Sequence, residues 1–128
     1  MAMLYLVVNN GRRAMMCIDK SFKCPAEITV CLIGNKWKLL ILKELSFGVK
    51  RFGELMRSVD GISQKMLTQS LREMEMDALV SRKVYAEVPP RVEYSMTEIA
   101  RDLSSVLDLM GDWGIKYERL YKESLSGN

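Results

Sequence analysis

Four side chains with hydrogen-bonding ends, Lys65, Thr68, Gln69 and Arg72, are separated by three, one and three residues. At helical spacing they share one face of a single helix. Their chemistry suits the edges of base pairs. Lysine and arginine reach guanine or phosphate, glutamine matches adenine, and threonine can hydrogen-bond either or meet a thymine methyl. Ser63 and Gln64 stand at the expected helix start, where backbone N–H groups can hold a phosphate. The acidic Glu73, Glu75 and Asp77 come later, so the N-terminal half faces an anionic partner better. An ordinary amphipathic helix with a solvated charged face has the same pattern, so the stripe alone does not decide.

A second basic set follows. Arg82 and Lys83 lie in one β-prone run, and Arg91 follows Pro89-Pro90 on the tip that separates it from the next. A basic tip on a projecting hairpin suits phosphate or the narrow minor groove. A third feature is Cys24. It directly precedes Pro25 at an expected helix start, near Lys20 and Lys23, and both the helix end and the lysines favour a thiolate. The alternative is an inert, half-buried thiol. Cys31 is expected to face the core, and Cys17, on a loose arm, could resolve an oxidised Cys24.

Other chemistries are excluded or weakened. The chain has no histidine, which removes imidazole acid–base catalysis, Ser/His triads and His-ligated metals. The cysteines at 17, 24 and 31 form no Cys-x-x-Cys pair, and three is an odd number for a disulfide framework. Reduced thiols in a cytoplasmic protein are expected, with no metal and no cofactor. A thiol enzyme using Cys24 as nucleophile would lack a histidine base, so the chain is not expected to be an enzyme. The apolar run Leu4–Val8 is too short for a membrane span or a signal-peptide core. Gly11-Arg12-Arg13, followed at once by Met15 and Met16, fits a translation start near Met15.

The elements that must position these residues read as follows. At 128 residues and 48% hydrophobic, one packed domain is expected over residues 24–122, with a loose arm at 1–23 and a frayed tail at 123–128. The net charge is only +3, but residues 1–23 carry +3 and residues 97–128 carry −2, so contact with nucleic acid should come from the middle. Pro25 opens a helix that stops at Gly34-Asn35. A second spans Lys36 to about Ser46, apolar nearly all round, and is expected to be the central buried helix. Phe52–Val59 makes a third. Ser63 caps a fourth running to about Ala78, with Leu67, Leu71 and Met74 as its core stripe. Val80–Val88 and Val92–Met96 read as a β-hairpin, and Thr97 caps a last helix to about Lys122. Helix-turn-helix followed by a hairpin is the winged helix-turn-helix plan, mainly α with a small β wing.

Several segments carry a closer likeness. They are Cys24-Pro25, Ile33–Leu42 (IGNKWKLLIL), Arg51–Leu55 (RFGEL), Gly61–Thr68 (GISQKMLT), Glu87–Tyr94 (EVPPRVEY) and Asp112-Trp113-Gly114. In this order, and over the stretch from Cys24 to Tyr117, the chain resembles the HxlR-type branch of the MarR-like winged-helix transcriptional regulators. The resemblance implies a homodimer that binds a near-palindromic operator on double-stranded DNA, probing the major groove with the helix from Ser63 and using the hairpin around Pro89–Arg91 as the wing. It also implies that the first and last helices form the dimer interface. In some members a cysteine at the place of Cys24 senses oxidants or electrophiles, by alkylation or an intersubunit disulfide. Residues 1–14, Cys17 and Cys31 depart from the pattern.

Pairing has its own support in the last helix. Ile99, Leu103, Val106, Met110, Trp113, Tyr117 and Leu120 are spaced 4, 3, 4, 3, 4 and 3, an a/d seam longer than one small domain needs. The alternative is that this seam packs along its own domain. Trp113, Tyr117 and the ten methionines could also line a site for a small-molecule effector. A protein-interaction adaptor on the same scaffold is the competing function, and a steep loss of duplex affinity with salt separates the two. A repressor is the expectation within the first reading.

Overall fold

The computed structural model describes residue 17 and residues 23–127 of the chain. The expected arm, apart from Cys17 and Lys23, and the expected start near Met15 lie outside the described residues. The element order is α1 (Ala26–Ile33), α2 (Lys36–Leu45), β1 (Lys50–Arg51), α3 (Phe52–Ser58), α4 (Gln64–Met76), β2 (Val80–Tyr85), β3 (Arg91–Met96) and α5 (Glu98–Ser126).

Local chemistry sets the boundaries. The Asn35 side chain accepts from the Trp37 N–H at 2.8 Å and starts α2. Glu54 accepts from the Arg51 N–H at 3.1 Å and closes the first turn of α3. Between α3 and α4 the chain turns through Gly61 at φ +82°, a left-handed conformation that glycine adopts without a steric penalty. Ser63 Oγ then accepts from the Met66 N–H at 3.1 Å, so the expected cap is formed.

The far end of α4 is closed by two crossed bonds. The Ala78 N–H donates to the Glu75 carbonyl, and the Leu79 N–H donates to the Met74 carbonyl at 2.8 Å. Ala78 takes the left-handed position at φ 60°, which glycine usually fills. The helix therefore stops at Met76, two residues before the expected end.

The core forms where α2, α3 and α4 meet the sheet. Ile41, Leu42, Leu55, Leu67, Leu71, Met74, Val80 and Ala100 are almost wholly buried. The expected Leu67–Leu71–Met74 stripe faces it. The sheet is antiparallel in the order β1-β3-β2, with Val80 opposite Met96 and Tyr85 opposite Arg91. The short β1 strand was not expected: two residues carry no period, and Lys50 and Arg51 fall between the second and third expected helices. β2 ends at Tyr85, three residues earlier than expected, because the segment to Pro90 turns away as an exposed loop.

Thr97 ties these layers together. Its hydroxyl donates to the Ala78 carbonyl at 2.7 Å and accepts from the Ala100 N–H at 3.3 Å. One side chain thus joins the end of α4 to the start of α5. α5 has 29 residues, so it is about 44 Å long. It continues helically to Ser126, past the expected stop near Lys122 and through most of the expected frayed tail. Glu118 and Lys122 pair one turn apart on this stretch.

Candidate nucleic-acid interface

The stripe on α4 is outside the protein. Ser63, Gln64, Lys65, Thr68, Gln69 and Arg72 are all exposed, while Leu67, Ser70, Leu71 and Met74 are buried behind them. Gln64, Lys65, Thr68, Gln69 and Arg72 line one shallow groove along the helix. Among the described residues, neither Lys65 nor Arg72 is in an ion pair. Both charges are therefore available to an anion.

Several of these groups already have partial engagements that narrow what they can do. Ser63 Oγ is occupied as an acceptor by its own helix, which leaves its proton to donate. Thr68 Oγ1 donates to the Gln64 carbonyl at 2.8 Å, leaving its oxygen and its methyl for a partner. Gln69 Nε2 donates to Glu73 Oε1 at 3.2 Å. Glu73 in turn accepts from Lys38 Nζ of α2 at 2.7 Å, in a nearly buried pair. Lys38 was read only as part of an apolar helix. Nothing in an isolated lysine signals that it turns inward; the acidic Glu73 at the inner edge of α4 was its partner.

The wing is arranged less openly than its sequence implies. Arg91 begins β3 instead of standing on the tip, and it folds back. Its guanidinium lies 3.9 Å above the Tyr85 ring and 3.3 Å from Glu87. Lys83 Nζ sits 4.9 Å from the centroid of the same ring. The two cations and Tyr85 thus form one cluster on the wing. Arg82 turns toward α4, with Nε 3.8 Å from Glu75. Beneath it, burial pushes the Tyr94 phenol above its usual pKa; Arg82 opposes that shift, Glu75 adds to it and Arg72 opposes it.

α5 divides the expected seam. Leu103 packs against the domain core, joined by Ala100 and Leu107 at helical spacing. Ile99, Val106, Met110, Trp113, Tyr117 and Leu120 are 42–66% exposed. Leu109, Ile115, Tyr121 and Leu125 extend this surface. Trp113, Tyr117 and Tyr121 stack in sequence, with ring centroids 5.4 and 6.4 Å apart. An open cavity of about 530 Å³ separates the near side of this helix from α2, between Leu39, Lys43, Leu107, Met110 and Ile115.

The cysteines differ from expectation. Cys17 and Cys31 are joined in a disulfide, whereas all thiols were expected to be reduced. Folding brings their Cα atoms to 5.8 Å, within bridging range, a proximity that a spacing of 14 residues does not disclose. Cys17, expected as a resolving thiol, is thus bonded to Cys31. Cys24 is free and exposed. The anion at its helix start is Glu27, which accepts from the backbone N–H groups of Lys23 and Cys24 at 2.8 and 3.1 Å. No group of metal-ligating side chains and no helix apolar and long enough to cross a membrane occurs among the described residues.

Comparison with known proteins is consistent across three kinds of match. The family described as HxlR-like helix-turn-helix matches residues 32–121. YtcD of Bacillus subtilis, an uncharacterised HTH-type transcriptional regulator, is 44% identical over 108 residues, 84% of this chain and 86% of that protein. The redox regulator HypR in its oxidised form superposes with a TM-score of 0.68 at 46% identity, covering 73% of this chain and 96% of HypR. Reduced YodB, a transcriptional regulator of B. subtilis, gives a TM-score of 0.64 at 38% identity over 72% of this chain and 91% of YodB.

Proposed function

The chain belongs to the HxlR-like helix-turn-helix family of transcriptional regulators, and from that premise we propose that it represses transcription as a homodimer bound to a near-palindromic operator. The observation that carries this reading is the exposed Lys65–Thr68–Gln69–Arg72 face of α4, backed by a buried apolar stripe and anchored at both ends. Two such helices about 34–36 Å apart would enter successive major grooves on one side of a duplex. The exposed apolar face of α5 supports pairing through that helix, since a surface of this extent on a lone small domain invites a partner. Lys83 and Arg91 flank the duplex at the wing and hold phosphate. A cytoplasmic protein follows from this function.

Cys24 is proposed as the group that responds to oxidants or electrophiles. Its exposure and its free thiol support this, as does the likeness to HypR and YodB. The cavity beside α5 is the alternative entry for a small-molecule effector.

The test is duplex binding followed by fluorescence anisotropy over a range of salt. Binding should weaken steeply as salt rises, with a log–log slope of about −0.9 per phosphate neutralised. Lys65→Ala and Arg72→Ala should each weaken binding to the selected operator, Arg72→Ala with relaxed base preference. Arg91→Ala should have a smaller and sequence-independent effect, because Glu87 already offsets part of its charge. Unchanged operator affinity in all three variants would remove this surface from contention. Cys24→Ser should abolish release of the operator by diamide; release that persists would assign the response elsewhere.

A further inference from the structure

Behind the reading face lies a three-residue relay that the DNA-binding role does not by itself require. Lys38 in α2 donates to Glu73 at 2.7 Å, and the other oxygen of Glu73 accepts from Gln69 at 3.2 Å. Lys38 and Glu73 are each 7% exposed, whereas Gln69 is at the surface. We propose that Lys38 and Glu73 are positioning residues that fix the orientation of the Gln69 carboxamide and so set the base preference of α4. This rests on the proposed reading face.

The chemistry is one of acceptors and donors. A glutamine amide can rotate by half a turn and exchange its oxygen for its nitrogen at little cost in solvent. Here a carboxylate, which only accepts, faces it. The nitrogen is attracted and the oxygen would be repelled. One N–H is committed inward, which leaves Oε1 and the second N–H for the groove. That pair matches the N6 donor and N7 acceptor of adenine. Lys38 holds the second oxygen of Glu73 in a nearly buried ion pair, which keeps the carboxylate in place beside Gln69. A side chain at position 73 that could also donate would leave the amide without a preferred face.

The experiment selects bound sequences from a randomised duplex library with the full-length protein, wild type against Gln69→Ala, Glu73→Gln and Lys38→Met/Glu73→Leu. The last variant replaces both charges by apolar side chains, a change that buried pairs commonly tolerate, so the test survives if a single variant fails to fold. Wild type should prefer adenine at one position of each half-site by about tenfold or more. Gln69→Ala should reduce that preference to about twofold, and so should the other two variants. Adding Gln69→Ala to the double variant should cause no further loss. For Lys38→Met/Glu73→Leu, which replaces no residue of the face and leaves the net charge unchanged, affinity for unrelated duplex and the salt slope should stay as in wild type, which separates lost positioning from general damage. If Gln69→Ala relaxes a position that Lys38→Met/Glu73→Leu leaves intact, the relay is wrong while the reading face stands. If Gln69→Ala relaxes no position, both fall.

Discussion

Replacing Trp113 by alanine probes whether α5 pairs with a second copy. Trp113 is 66% exposed, stacks on Tyr117 within its own helix and lies outside the core cluster, so its loss leaves the domain core untouched. A tryptophan offers about 150–250 Å² of surface, so roughly 150 Å² of it is open to solvent. If a partner covers half of that, burial at about 25 cal/mol per Å² is worth about 2 kcal/mol. A two-fold symmetric interface counts the residue twice. The dimer should therefore weaken by about 4 kcal/mol, close to a thousandfold in dissociation constant. Sedimentation equilibrium over a wide concentration range reads this directly, and circular dichroism of the separated chains checks that the helix persists. A Trp113→Ala protein that dimerises within threefold of wild type would refute a contact through this face.

Three further outcomes follow from local geometry. Ser63→Ala removes the acceptor for the Met66 N–H and should cost about 1 kcal/mol in a denaturant titration; an unchanged midpoint would mean that the cap contributes nothing. Opening the Cys17–Cys31 bond by Cys31→Ser releases a loop of 14 residues and should cost about 3 kcal/mol, seen as a lower melting temperature. Wild type treated with reductant should match that variant, and a melt insensitive to both would rule the bridge out of the folded protein. Tyr94 has a raised pKa in the fold, so its contribution is full below the ordinary phenol value near pH 10 and is lost as pH climbs above it. Tyr94→Phe should remove that part of the alkaline loss, and identical alkaline unfolding of the two proteins would show that the phenol is not shielded.

The parts of the fold that were legible in the sequence are those set by period and by caps. Ser63 and Thr97 each cap the helix expected of them, and Leu67, Leu71 and Met74 face the core as their spacing requires, whereas Asn35, read only as part of the stop of the first helix, also caps the second. The end of α4 was harder to read, because Ala78 takes a conformation that a glycine would have announced. The two-residue strand β1 is defined by its partner Tyr94 and Glu93, far along the chain, and not by its own composition. In α5 the 4-3 spacing merged two surfaces, since Leu103 serves the core while Met110 and Trp113 do not. Within the candidate site the α4 stripe was visible because it is local. The inward turn of Lys38, the retreat of Arg91 onto Tyr85 and the joining of Cys17 to Cys31 all depend on residues that only the folded chain brings near.

The long helix also has a mechanical consequence. Its root is gripped by the core at Ala100, Leu103 and Leu107, and the next 19 residues, to Ser126, project beyond that grip. This span is about 28 Å, so a tilt of only 10° at the root displaces the far end by about 5 Å. A base pair rises about 3.4 Å along the duplex, which makes such a displacement worth more than one step of register. Gly111 and Gly114 lie on this span with open space where a side chain would stand, so closer approach there meets no obstruction. In a pair of chains joined through these levers, a tilt of about 10° at the root would alter the spacing of the two α4 helices by more than one base-pair step.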